Sequence, residues 1–207
     1  RRPGGASSPA RPIPRQWRSP PEKELHPDLV ADYERTSGPR LRQVEGRVRY
    51  LTRRESALTA LKEIDRHVRR GTITERQYDR MRSWIAASLY YQGYVDRAGE
   101  IARSAAARNG DTAVLAYWIA GLIDFRNGDA EAAHDNFIKM AAVPYQEDSL
   151  RAAASFWAAR TALAAGHPAD VTPSLEIAAT YPFTFYGQLA LALLGQDYDY
   201  NWQAPTL

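Results

Sequence analysis

From Arg40 onward, apolar residues recur every three or four positions, the spacing that gathers side chains on one face of an α-helix. Leu58, Leu61, Ile64 and Val68 follow this spacing, and Gly71 supplies a stop. Thr74 and Gln77 have the separation of a capping box, in which the two side chains satisfy free amides at a helix start. Met81, Trp84, Ile85, Leu89 and Tyr90 carry the next stripe as far as Gly93. Asn109-Gly110 and Asn127-Gly128 read as left-handed helix ends, where glycine has no Cβ to clash. Gly166 ends a further helix, and Pro168 sits where its missing amide hydrogen is no loss, at the start of the next. No segment alternates with period two between hairpin turns. The chain is therefore expected to be all-α.

The helices contain a weak repeat. Gly93, Gly128 and Gly166 lie 35 and then 38 residues apart. Seven positions before them stand Ala86, Gly121 and Ala159; five after, Ala98, Ala133 and Val171; nine after, Ala102, Phe137 and Leu175. Trp84, Trp118 and Trp157 mark the first helix of each unit. Small residues let the two helices of a hairpin approach, and larger ones fill the groove to the next hairpin. One hairpin cannot bury its apolar face alone, so units must stack. The expected architecture is a superhelical array of antiparallel helix hairpins, a tetratricopeptide-like solenoid, rather than a closed bundle. Trp84, Trp118 and Trp157, with Gly93, Gly121, Gly128 and Gly166, are its expected packing residues.

Composition divides the chain. Eight of the 13 prolines fall in residues 1–39, where few aliphatic side chains accompany them. That stretch reads as an extended or disordered leader, since proline lacks an amide donor and disfavours helix before it. The absence of an initial Met suggests processing or excision. Residues 1–54 hold 13 basic and six acidic side chains, whereas the rest holds 14 and 18. The basic character thus reads as mostly a property of the leader, with a mildly acidic helical body at 40–207. No apolar run reaches the roughly 18–20 residues of a membrane span, and zero cysteines exclude disulfides and thiol chemistry.

Candidate chemistry is sparse. His26, His67, His134 and His167 show no i, i+4 pair suited to zinc and read as surface residues. Glu63, Asp65, Asp124, Asp129, Glu131, Glu147 and Asp148 read as solvated faces and caps, the last role favoured by the positive end of a helix. No phosphate-binding glycine loop, nucleophile elbow or dinucleotide fingerprint is present. The sequence gives no recognised nucleic-acid-binding module.

The most specific segment is Ser149–Gly195. Arg151, Phe156-Trp157 and Arg160 precede Gly166-His167, and then come Tyr181-Pro182, Thr184-Phe185-Tyr186-Gly187 and Leu189-Ala190. This run resembles the end of the helical superhelix in soluble lytic transglycosylases, whose pattern is R-A-x-Y-W-x-x-R, a G-[DH] turn and Y-P-x-T-F-Y-G-x-L-A. Upstream, Trp118, Gly121, Phe125, His134 and Phe137 resemble the preceding hairpin, so the likeness covers about residues 74–202. It implies a periplasmic protein that acts on the β-1,4 bond between N-acetylmuramic acid and N-acetylglucosamine in peptidoglycan, leaving 1,6-anhydromuramic ends. It implies no cofactor and no metal. Tyr181, Pro182, Thr184, Phe185, Tyr186 and Gly187 would form a structural corner, or a surface on which a following domain docks. Thr184 would cap the last helix, and Gly187 would make room beside the aromatics.

The family's lysozyme-like domain carries a single catalytic Glu, followed by S-x-x-G-A-x-G-L-M-Q and M-P. That Glu protonates the glycosidic oxygen while the muramic 6-hydroxyl attacks. None of that signature is present here. Met81 and Met140, the two methionines, lie in helical repeats, and the one Glu-Ser pair, Glu55-Ser56, leads into an amphipathic helix. No catalytic, cofactor-binding or metal-ligating residue is expected. The chain is expected to be a non-catalytic scaffold missing a C-terminal catalytic domain, with glycan strands, and no nucleic acid or membrane span, as the parent enzyme's partner. The competing expectation is a freestanding adaptor that binds a protein or peptide.

Overall fold

The computed structural model describes residues 38–144 and 146–197, so the expected leader lies almost wholly outside the described residues. Among those residues the chain is all-helical. In order, the helices are α1 (Pro39–Arg53), α2 (Ala57–Arg69), α3 (Glu75–Tyr91), α4 (Val95–Asn109) and α5 (Val114–Arg126). Then follow α6 (Ala130–Ala142), α7 (Asp148–Ala165), a single 3₁₀ turn (Pro168–Asp170), α8 (Val171–Ala179) and α9 (Phe185–Leu193). Each helix packs on its successor, and α1 also packs on α3, α3 on α5 and α7 on α9. This is the neighbour pattern of stacked hairpins.

Local sequence explains four of the nine α-helix starts among the described residues. Pro39 occupies the first turn of α1, where its fixed φ suits a helix. Thr74 and Gln77 form the expected capping box at α3. Asp129 and Thr184 cap α6 and α9 by accepting from the amides of Ala132 and Gly187.

The helix ends reveal why the repeat exists. Gly93, Gly128 and Gly166 have φ of 88°, 84° and 83°. In each case the residue after the glycine donates its amide back to a carbonyl five positions earlier: Tyr94 to Leu89, Asp129 to Asp124 and His167 to Ala162, at 2.9, 2.9 and 2.8 Å. This is a Schellman motif, which needs a left-handed residue at its corner. Gly71 after α2 and Gly195 after α9 form two more copies, with Thr72 donating to His67 at 3.0 Å and Gln196 to Leu191 at 2.9 Å.

A further copy sits at the end of α1, and the sequence pattern conceals it. Glu55 has φ of 57°, and Ser56 donates to Leu51 at 2.9 Å. Counting from Glu55 as from the glycines, Val48, Ala60 and Ile64 fall on the small and large packing positions, and all are fully buried. The array thus has one unit more than the glycine alignment exposes. Glu55-Ser56 is its turn.

Burial follows the repeat. Ala86, Gly121 and Ala159 are buried, as are Ala98, Ala133, Ala102, Phe137 and Leu175. A Cβ on Gly121 would lie 2.8 Å from the Phe137 ring, so this glycine gives α6 its close seat on α5. Two expectations need correction. Leu58 is half exposed, because α2 turns Ala57, Ala60, Leu61 and Ile64 inward and the alanines permit a closer approach there. Gly110 is not a left-handed end: its φ is −60°, and the Tyr117 hydroxyl occupies the space a Cβ would fill.

A left-handed conformation costs an L-residue about 1–2 kcal/mol relative to the right-handed one, and no glycine relieves it at position 55. Glu55→Gly is therefore expected to stabilise the chain by about 1 kcal/mol, net of the added freedom of the unfolded chain. The midpoint of urea unfolding checks this, and an unchanged or lowered midpoint refutes the strain.

Candidate docking surface

The polar interior is structural. Asp79, on α3, is completely buried. It accepts from Arg82 at 3.0 Å, from Arg108 Nη2 and Nε at 2.6 and 3.1 Å, and from Asn109 at 2.7 Å. Four donors leave no acceptor position for a substrate. Beside it the Tyr78 hydroxyl donates to Asp65 at 2.6 Å, and its pKa is pushed up to about 12 by burial first and by that carboxylate second. The Arg108 guanidinium is held charged chiefly by its bonds to Asp79. This cluster ties α3 to the end of α4.

Other buried polar residues correct the surface assignments made from sequence. Asp124 is buried between Arg103, at 2.7 Å, and Asn136, at 3.0 Å. His134 is buried too, with Nδ1 donating to the Ala158 carbonyl at 3.0 Å and Nε2 3.8 Å from Asp170. It lies inside because α7 presents small residues, Ala154, Ala158 and Thr161, to that face of α6. Sequence spacing shows none of this, since the partners come from helices 12–30 residues away. His67 meets the Thr72 hydroxyl, His167 pairs with Glu131 at 2.7 Å, and His26 lies outside the described residues. Among the described residues no group of three or more His, Asp or Glu could hold a metal ion.

The arrangement with an outward face is aromatic. Trp118 on α5 meets Phe137, Trp157 and Tyr186 with ring centroids 5.6, 6.0 and 6.4 Å apart, each edge to face. Trp157 on α7 also packs on Phe125 at 5.6 Å and donates its indole N–H to the Tyr186 hydroxyl at 3.2 Å. Trp118 donates toward Tyr91 at 3.5 Å. Tyr186 in turn contacts Phe156 and Phe185, at 5.3 and 5.1 Å. Half-buried tryptophans that find a phenol for their N–H rigidify such a row. Trp84 stands apart from it, beneath the Arg49 guanidinium at 4.6 Å.

The row ends in the corner Tyr181–Gly187. Thr184 accepts from the Gly187 amide at 3.0 Å and donates to the Tyr181 carbonyl at 2.8 Å, closing the turn into α9. Gly187 is required by that same carbonyl, because a Cβ there would overlap the Tyr181 oxygen. The sequence reading assigned the space to the aromatics; it belongs to the backbone. Pro182 gives its carbonyl to Gln188. Phe183 and Phe185 are 81% and 70% exposed, and Leu193 on α9 is also exposed. Tyr181, Pro182, Thr184 and Gly187 thus build the corner, while Phe185 is its outward face and Tyr186 joins it to the tryptophans. No protein-family profile, curated protein or solved structure matches the chain.

Gly187→Ala is expected to destabilise the fold by about 2–3 kcal/mol, since the backbone carbonyl cannot yield as a side chain would. Asp79→Ala is expected to cost about 3 kcal/mol through the buried donors it strands. Equilibrium denaturation of the two variants measures both losses.

Proposed function

We propose that this chain is the non-catalytic helical scaffold of a soluble lytic transglycosylase, a periplasmic enzyme that cleaves peptidoglycan glycan strands. The observation that carries the reading is the corner. The segment Tyr181–Gly187 resembles the family's Y-P-x-T-F-Y-G run, and its residues have interlocking jobs: Thr184 caps α9, Gly187 seats against the Tyr181 carbonyl, and Tyr186 receives the Trp157 N–H. The exposed Phe183 and Phe185 would then form the face on which a lysozyme-like domain packs. Catalysis would come from that domain, with a lone Glu as the general acid and the muramic 6-hydroxyl as the internal nucleophile.

Purified residues 1–207 are expected to release no anhydromuropeptides from isolated sacculi, whereas a longer product containing the Glu-Ser and G-L-M-Q segments does so. Chromatography of the soluble fraction is the measurement. Turnover by these residues alone would overturn the assignment of roles, and a longer product that lacks a lysozyme-like domain would favour the protein- or peptide-binding adaptor.

A further inference from the structure

The first hairpin carries a charge that the packing of the array uses only in part, Arg47 meeting Glu63 and Arg49 covering the Trp84 ring. Between Pro39 and Gly71 stand ten basic and four acidic residues, a net of +6 in 33 positions. Residues 1–38 have a net of only +2, and residues 72–207 a net of −5. The positive end of this protein is therefore a folded element.

All ten bases are exposed. Arg40 and Arg47 on α1 and Arg54 at its C-cap recur at seven-residue steps, two helical turns, and so stack along one flank. Arg42, Arg49 and Arg53 occupy the other flank. Lys62, Arg66 and Arg69 on α2, with Arg70 at its C-cap, lie on the face opposite Ala57, Ala60, Leu61 and Ile64. Arg47, Arg66 and Arg70 line one shallow cleft between the helices, so the two sets are continuous. The four carboxylates cancel them only in part: Glu45 is turned onto Arg80 of α3 and Asp65 accepts from Tyr78, while Glu63 pairs with Arg47 at 3.5 Å in the cleft and Glu55 is exposed at the turn.

Two further features bear on the partner. Nine of the ten bases are Arg, whose planar fork suits phosphate oxygens better than an ammonium does. Amid them lie Tyr50 and Leu58, 49% and 50% exposed. The Arg47 and Arg54 guanidiniums each sit 5.5 Å from the Tyr50 ring. A nucleic-acid backbone would account for the charge but offers nothing to Leu58. A bilayer accounts for all three: phosphate headgroups for arginine, the interfacial zone for tyrosine, and the acyl boundary for leucine.

We propose that the α1–α2 hairpin binds the surface of an anionic phospholipid membrane, with its arginines on headgroup phosphates and Tyr50 and Leu58 at the interface. The acidic remainder of the array is repelled by the same surface, so the protein stands on its first hairpin. The proposal is independent of the transglycosylase reading and stands or falls by lipid binding alone.

The test is co-sedimentation of the 207-residue chain with vesicles of phosphatidylcholine, alone or with roughly a third phosphatidylglycerol. Binding is expected only to the anionic vesicles, and it should fall steeply as salt rises from about 0.05 M to about 0.5 M. The triple variant Arg66→Glu, Arg69→Glu, Arg70→Glu is expected to bind at least roughly a hundredfold more weakly, with its helical circular dichroism retained. Tyr50→Ser, which removes no charge, should weaken binding to vesicles and leave its salt dependence unchanged. Equal sedimentation of the triple variant, binding to neither vesicle, or tighter binding to duplex DNA that the same triple variant loses would each overturn the proposal.

Discussion

One backbone conformation, a single left-handed residue closed by two main-chain hydrogen bonds, turns the chain at the end of α1, α3, α5, α7 and α9, and of α2 as well. Everything else in the array is hung from that turn. Because it fixes the direction in which the next segment leaves, residues five and nine positions later meet the helix just completed. Those positions are Ala98 and Ala102, Ala133 and Phe137, and Val171 and Leu175. The small residue opposite, such as Gly121 beneath the Phe137 ring, then decides how close the pair can come. A turn made mainly of backbone tolerates wide drift in the side chains around it, which is why the repeat is weak in letters and regular in space.

The same physics separates what was legible in the sequence from what was not. Glycine betrays a left-handed turn, so the units at Gly93, Gly128 and Gly166 could be aligned, while the copy at Glu55 could not, since nothing in a glutamate announces a positive φ. Asn109-Gly110 has the letters of such a turn, but its glycine serves the Tyr117 hydroxyl instead. Apolar spacing found the helices and misjudged Leu58, because alanine outcompetes leucine for a face where helices nearly touch. The interior charges were the least readable. Asp79, Asp124 and His134 look like surface residues until helices distant in sequence supply their partners. The corner residues were visible as a cluster, but the reason for Gly187, a carbonyl six residues earlier, required coordinates.

Charge was legible in amount and misplaced in location. An excess of arginine before residue 55 invites its assignment to the proline-rich leader, yet most of that excess belongs to α1 and the residue that ends it, and α2 adds to it. Helix formation matters here because it orders guanidiniums that an extended chain would scatter, and because Glu45 and Asp65 are drawn aside by α3. The array consequently has two unlike ends, one cationic and one aromatic. Between them lies a core whose buried carboxylates, Asp79 and Asp124, are each paired with arginine and asparagine.

From Glu55 through Gly93, Gly128 and Gly166 to Gly195, the turns that end the outgoing helices, the intervals are 38, 35, 38 and 29 positions, although the turn itself does not change. Length is absorbed by the returning helix, which contracts to α8 and its 3₁₀ lead-in before the last turn. Such a joint is indifferent to what lies between its copies. A gene duplication or deletion that respects the joint yields another stack of the same kind, without any contact surface having to be invented again. The protein's reach can therefore evolve by counting units, and its two ends can diverge while the middle is simply copied.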